Sequence, residues 1–436
     1  MALLLPAVFL ALTACGSGAE ETDGGVGSAS STGAVTPTPE PTVESDAREV
    51  AAQTPRIAYT YDGGIQVRDA TTLELVADIP LAGFNRLNPA GDGRDLIVST
   101  QGGFQVLDLG VWQTGHGDHF HYYTAQPSLT DQIFPAQTPG HVVSHDGWTA
   151  LFDDATGQVT IFESAEAQDP DRELRQYTAP AAHHGVAVLV DGTLVVSQGA
   201  AEGRTGAQAL DVDDAVLASS SDCPGLHGAG VAADEAVVLG CADGALVYRD
   251  GVFTKLTAPA EAGGISGIAA TEDSPIALGD YAVEGAVQDK VALIDTAAGT
   301  IRLVQLPSAY YGFNDFTVVD GAIGAVLGLD GQLHLIDLAA GAVTGSYPVI
   351  GAWEAPENWQ AAAPKVLLLE GMLYITDPAT RQIHVVDPAT GKIWKSVALD
   401  VVPLELAGAA GDAEAEHDHE EDHAEDHDHD EEGEEP

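Results

Sequence analysis

Val291-Ala-Leu-Ile-Asp295-Thr-Ala-Ala-Gly299 comes back as Leu333-His-Leu-Ile-Asp337-Leu-Ala-Ala-Gly341 and again as Ile383-His-Val-Val-Asp387-Pro-Ala-Thr-Gly391. Each copy is a short apolar run ended by aspartate, followed by a turn with glycine in fourth place. Apolar alternation over five or six residues with Asp and Gly punctuation is the signal of strand and tight turn. Looser versions, Phe104-Gln-Val-Leu-Asp108 and Val247-Tyr-Arg-Asp250, extend the pattern towards the N-terminus. No long helical periodicity interrupts it between Ile57 and Leu406.

Units fall near residues 65, 104, 159, 208, 246, 290, 333 and 383, about eight in number and roughly 44 residues long, the period of a four-stranded β-propeller blade. The sequence therefore predicts an all-β propeller of about eight blades over residues 55–408. Seven is the alternative, because the unit from Val186 to Ser221 is irregular. The first unit starts at Arg56 with three evident strands, and a late strand at Val401–Leu406 is expected to supply its fourth. Pairing the N- and C-terminal strands in this way closes the ring and removes exposed sheet edges.

The flanks differ from the body. Residues 1–14 are almost wholly apolar and end in Leu12-Thr13-Ala14-Cys15-Gly16. A short apolar run, small residues and then cysteine look like a bacterial lipoprotein signal, which implies cleavage before Cys15 and lipidation of its sulfur, although no basic residue precedes the run. Residues 15–54, rich in Gly, Ser, Thr and Pro, read as a disordered tether. Residues 409–436 read as a disordered tail rich in His, Asp and Glu. From Gly411 onward it holds fifteen acidic residues with His417, His419, His423, His427 and His429. Imidazoles spaced among carboxylates suit weak, multi-site capture of divalent cations.

The chain has 67 acidic residues against 16 basic ones, a formal charge of −51. Such a field repels nucleic acid and bare anionic membrane and attracts cations, so membrane contact is expected through the lipid anchor only. Export is expected, either anchored on the outer face of the cytoplasmic membrane or in the periplasm. With Cys15 lipidated, Cys223 and Cys241 remain as one pair in an oxidising compartment, where a disulfide is expected.

Eight of the fifteen histidines lie between His116 and His227. His184 stands seven residues before Asp191 and His227 seven before Asp234, the same register on consecutive units. Both belong at the mouth of an innermost strand and hence beside the central channel. His141, five residues before Asp146, keeps the parity on the preceding unit. The stretch His116-Gly-Asp118-His119-Phe-His121 sits just upstream, and in an extended chain His119 and His121 face the same side. Borderline-soft nitrogen donors of this kind suit Zn²⁺. The expected ligands are His119, His121, His184 and His227, with His116, Asp118 and His141 secondary. His183 is expected to turn into the blade. His334, His384, Trp148, Trp353, Trp359 and Tyr310-Tyr311 are expected to be structural, and Asp315 is a weak candidate ligand.

A propeller carrying His-Gly-Asp-His-Phe-His121, His-His184-Gly and Cys223-Pro-Gly-Leu-His227-Gly resembles the AztD-type zinc metallochaperones over residues 55–408. The resemblance implies extracytoplasmic zinc binding, ligand roles for His119, His121, His184 and His227, and hand-over of zinc to the zinc-binding subunit of an ABC importer. Two features depart from it: the His-rich segment is C-terminal, and the chain reads as tethered. A metal-dependent propeller hydrolase and a cell-surface interaction scaffold are the alternatives. Against the hydrolase, no nucleophile motif such as Gly-x-Ser-x-Gly and no paired general acid accompanies the histidines.

Overall fold

The repeated aspartates begin their turns by accepting hydrogen bonds from the backbone ahead of them. Asp295 takes the N–H of Ala298 and Asp337 that of Ala340, both at 2.8 Å, and Asp387 that of Ala389 at 2.9 Å. A side chain that mimics a backbone turn is the physical reason for Asp at these positions. The strands they terminate pair antiparallel with the next strand in sequence, giving a meander in every repeat.

The computed structural model describes residues 46–116, 119–259 and 263–412. Eight sheets of four strands or more stand side by side, one per predicted unit, so the eight-bladed propeller holds and the seven-bladed alternative falls. In chain order, the innermost strands of blades 2 to 5 are Arg86–Pro89, Pro139–His145, Ala187–Val190 and His227–Ala232. Blade 6 enters through the short pieces Gly263–Gly264 and Ile268–Ala269, and blades 7 and 8 through Phe316–Val319 and Val366–Leu369. Apolar side chains do not fill the middle of the ring but the eight seams between blades. At the closing seam, Ile57 and Tyr59 of blade 1 pack on Tyr374 and Ile383 of blade 8. At the seam between blades 4 and 5, Val188 meets Val237 and Leu239. The channel between the inner strands is lined by polar and apolar side chains alike, His141, His184 and His227 standing beside Val143, Ala229 and Ile268.

Ring closure takes place as expected, but with a different strand. Leu406–Ala409, not Val401–Leu406, pairs with Arg56–Tyr61 as the innermost member of blade 1. Pro403 has no N–H to donate, and backbone pairing with blade 1 starts just beyond it, where the N–H of Leu404 reaches Thr60 O at 2.9 Å.

Two further elements lie outside the regular blades. A hairpin of Val111–His116 and His119–Thr124 is inserted between the third and fourth strands of blade 2. The strand Arg48–Val50, within the stretch read as tether, pairs with it and completes a separate three-stranded sheet. Among the described residues, no helix is long and apolar enough to cross a membrane. The signal segment with Cys15, the pair Gly117-Asp118 and the tail histidines lie outside the described residues.

Candidate metal centre

His141, His184 and His227 come from three consecutive blades and meet at one mouth of the channel, each able to offer a nitrogen within 4.8 Å of the others. Ring centroids lie 4.8 Å apart for His141 and His184, 4.9 Å for His141 and His227, and 5.1 Å for His184 and His227. Among the described residues, no fourth His, Cys, Asp or Glu joins the group.

Two β-bulges aim these side chains. The inner strand of blade 3 pairs Pro139 with Asp153 and Val142 with Leu151, so it carries one residue more than its partner in between. The inner strand of blade 5 pairs His227 with Gly240 and Ala229 with Leu239, again one residue over. Extra residues of this kind re-aim the side chains beside them. The added residue in blade 5 is Gly228, at φ +66°, where a Cβ would lie 2.2 Å from the Ser266 carbonyl. In blade 3, a Cβ on Gly140 would lie 2.2 Å from Asp154 Oδ1. These two glycines let the hydrogen-bonding partners of His227 and His184 come close.

Those partners decide the tautomers. His184 Nδ1–H donates to Asp154 Oδ2 at 2.5 Å, and His227 Nδ1–H donates to the Ser266 carbonyl at 3.2 Å. The Ser266–Gly267 turn is itself held by Asp280, whose carboxylate accepts both N–H groups. With Nδ1 occupied, each neutral ring presents the lone pair of Nε2 to the channel. An oriented imidazole with an acceptor behind it is the usual support of a metal-binding histidine. His141 Nε2 lies 3.2 Å from His184 Nε2. Tetrahedral coordination with bonds of about 2.1 Å places ligand nitrogens about 3.4 Å apart, close to the spacing of this pair, and the third ring offers a nitrogen within 4.8 Å of both.

Burial pushes the His141 imidazole well below the usual histidine range, and the neighbouring His227, His184, Arg86 and Arg204 act in the same direction. Burial lowers His227 too, against the opposing pull of the Ser266 carbonyl. Ligands must be deprotonated to bind, so His141 and His227 stay competent below pH about 6.5, where ordinary imidazoles begin to charge. Because both folded values lie below the unfolded one, the unfolded chain takes up protons first, and apo-protein stability declines as pH falls through that window. Zinc titrations at pH 7.5 and 6.0 should keep the tightest equivalent and lose the weak ones. Thermal unfolding of the apo-protein should move to lower temperature over the same interval. A tightest equivalent lost by pH 6.0 would contradict the burial of His141 and His227.

The other predicted ligands do not join this cluster. His119 and His121 sit on the inserted hairpin, their Nε2 atoms 3.1 Å apart, and His121 Nδ1–H donates to Glu49 Oε1 at 2.7 Å. Of the four expected ligands, the structure brings His184 and His227 together at the channel mouth and keeps His119 and His121 as a separate pair on the hairpin, while His141, expected as secondary, joins the channel group. His116 belongs to the hairpin backbone, paired with His119.

The remaining candidates are accounted for by packing. His183 turns into its blade, between the Ala181 carbonyl and the Ser197 hydroxyl, both at 2.9 Å. His145 is buried at the other end of the channel, with Glu235 at 2.7 Å and Glu272 at 2.9 Å on its two nitrogens. His334 and His384 hold the hydroxyls of Ser346 and Ser396. Asp315 is fully buried and receives the N–H groups of Tyr311 and Gly312, which satisfies it without a metal. Trp359, expected to be structural, packs against the rings of Phe84 and Phe313 and also walls, with Arg86 and Phe313, a cavity of about 530 Å³ that the trio lines. Sequence reasoning missed Asp154, Glu49 and Ser266. Their contacts with histidines are 30, 72 and 39 residues long-range, and no local signal marks them.

Fold and site together define an eight-bladed propeller that gathers three imidazoles around one channel mouth. Over 363 residues, 78% of this chain and 83% of the relative, the sequence is 27% identical to the zinc chaperone AztD of Citrobacter koseri. The solved structure of apo AztD from that organism superposes with a TM-score of 0.70 at 22% identity, covering 83% of this chain and all of that one. A second AztD crystal structure gives 0.71 at 24% identity, over 83% of this chain and 99% of the other. No family model matches the chain.

Proposed function

We propose that this protein is an extracytoplasmic zinc metallochaperone that captures Zn²⁺ and passes it to the zinc-binding subunit of an ABC importer. One observation carries the reading: at the channel mouth, His184 and His227 have their Nδ1–H groups taken up, so their Nε2 lone pairs converge with His141. His184, the exposed member of the three, lets an acceptor reach the ion from outside, as direct hand-over requires. The likeness to AztD, named as a zinc chaperone, supports carriage over catalysis.

Around this centre, the hairpin pair His119 and His121 forms a more accessible zinc site, to which His116 and Asp118 are available. The tail histidines 417, 419, 423, 427 and 429 collect zinc weakly. Lipidation at Cys15 anchors the exported protein, and the segment after it holds the propeller off the membrane.

The test is transfer. Protein purified without an affinity tag is loaded with zinc, mixed with the apo form of a zinc-binding importer subunit, and separated. Zinc should move to the acceptor without passing through a competing chelator in solution. Deleting residues 413–436 should remove weak equivalents and leave the transferred one. Zinc that stays on the propeller, or that travels only through the free pool, removes the carrier reading.

A further inference from the structure

The surroundings of the trio hold a contradiction for a simple cation site. Only 16 of 436 residues are Lys or Arg, yet two arginines flank these three histidines. Arg86 lines the same cavity, with its guanidinium 5.5 Å from the Phe313 ring centre and 5.9 Å from that of Trp359. Arg204 reaches between two of the ligand-bearing segments, 3.5 Å from the His184 carbonyl and 3.5 Å from the Gly225 carbonyl. Like charge beside a divalent cation opposes its binding.

Both arginines also hold unused capacity. The Nε atoms of Arg86 and Arg204 are buried without a hydrogen-bond partner, a cost that a protein normally avoids. The carboxylate nearest Arg86, Glu405, stands off at 3.8 Å and is engaged by Lys365 at 3.3 Å. Meanwhile three histidines satisfy three of the four positions of a tetrahedral ion. A guanidinium fork beside an open coordination position suits a planar anion that binds both at once, and carboxylate matches that geometry.

We propose that Arg86, Arg204 and the fourth position of a trio-bound ion form a carboxylate-binding subsite through which zinc is exchanged. This rests on the zinc-carrier reading above. A carboxylate oxygen displaces the solvent molecule on the ion, which leaves as water, and the arginines hold the other oxygen by charge-assisted hydrogen bonds. Zinc–nitrogen bonds then break one at a time as the incoming ligands take over, with no change in oxidation state. The arginines thereby weaken the resting site and favour the carboxylate-bound exchange complex, whose charge is lower by one, as release demands. They also offset locally the acidic field that would repel such a ligand.

Cobalt(II) replaces zinc for the test, because its visible spectrum reports the fourth ligand. Cobalt-loaded protein is titrated with acetate at constant ionic strength set by perchlorate. The spectrum should change saturably, and Arg86→Gln with Arg204→Gln should weaken apparent acetate affinity by about tenfold or more while one tight cobalt is retained. Each single variant is measured as well, so a folding defect in the double variant does not decide the matter. In parallel, zinc is extracted with nitrilotriacetate and with neutral terpyridine. The arginine variants should slow only the first. Saturation below about 10 mM acetate identifies a free small acid as the natural ligand; saturation only far above it, with nitrilotriacetate extraction still arginine-dependent, identifies a carboxylate presented by the acceptor. An unchanged spectrum, or variants that bind acetate and release zinc to nitrilotriacetate as the parent does, overturns the subsite. Failure of cobalt to bind at the trio refutes the carrier reading instead.

Discussion

Replacing His141, His184 and His227 together by alanine abolishes the tightest zinc equivalent of the protein, while changing His119 and His121 leaves it in place. The expectation follows from the lone pairs. Losing a hydrogen-bonding partner behind a ligand costs about 10–100-fold in affinity, and losing the ligand itself costs more. Each single substitution at the trio should therefore weaken zinc by upwards of about a hundredfold. The apo-protein should keep its stability, since these side chains are aimed at a cavity and not into the apolar seams. Competition against a chromophoric chelator at pH 7.5 gives the affinity, and calorimetry the stoichiometry. A triple variant that still binds one zinc as tightly as its parent would place the centre elsewhere, most directly on the hairpin. Zinc lost together with the fold would show that the imidazoles serve packing, so thermal unfolding of the apo variants accompanies the titration.

The sequence was informative where structure is periodic and silent where it is not. Aspartate-led turns after apolar runs exposed the eight blades, because turn chemistry and strand alternation are local. The shared register of His184 and His227 was legible for the same reason. His141 was harder to place. Its offset from the turn aspartate is five residues where the other two have seven, and the bulge between Pro139 and Val142 cannot be read from composition. Closeness in sequence misled at His119 and His121. They stand just before blade 3, but the hairpin that carries them is an insertion in blade 2 with its own small sheet. The strand at Arg48–Val50 was hidden because three residues that pair only with that insertion have no periodicity of their own. Asp154 looks like any turn aspartate beside Asp153, and only the fold brings it to His184.

Removing the disulfide is expected to have the largest effect on stability. Cys223 and Cys241 are bonded, both fully buried, and close a loop of 18 residues. The chain-entropy relation for a loop of that length gives about 3 kcal/mol of stabilisation. The bond also bears on the site. Cys223 lies four residues before His227, and Cys241 follows Gly240, the pairing partner of His227 in the sheet. A backbone bond from Ala242 N–H to the Pro224 carbonyl at 2.7 Å closes the same clamp. The cysteines sit in an apolar seam beside Val186, Leu226, Leu239 and Leu246, where a lone hydroxyl would lack a partner, so alanine is the fitting replacement. Cys223→Ala with Cys241→Ala should lower the urea unfolding free energy of the apo-protein by about 3 kcal/mol. It should also raise the zinc dissociation constant, since the segment that presents His227 gains freedom. His141 and His184, on other blades, are unaffected, so zinc weakens but is not lost. Unfolding within about 0.5 kcal/mol of the parent, the range of neutral surface changes, would show that pairing along the blade alone holds the His227 segment.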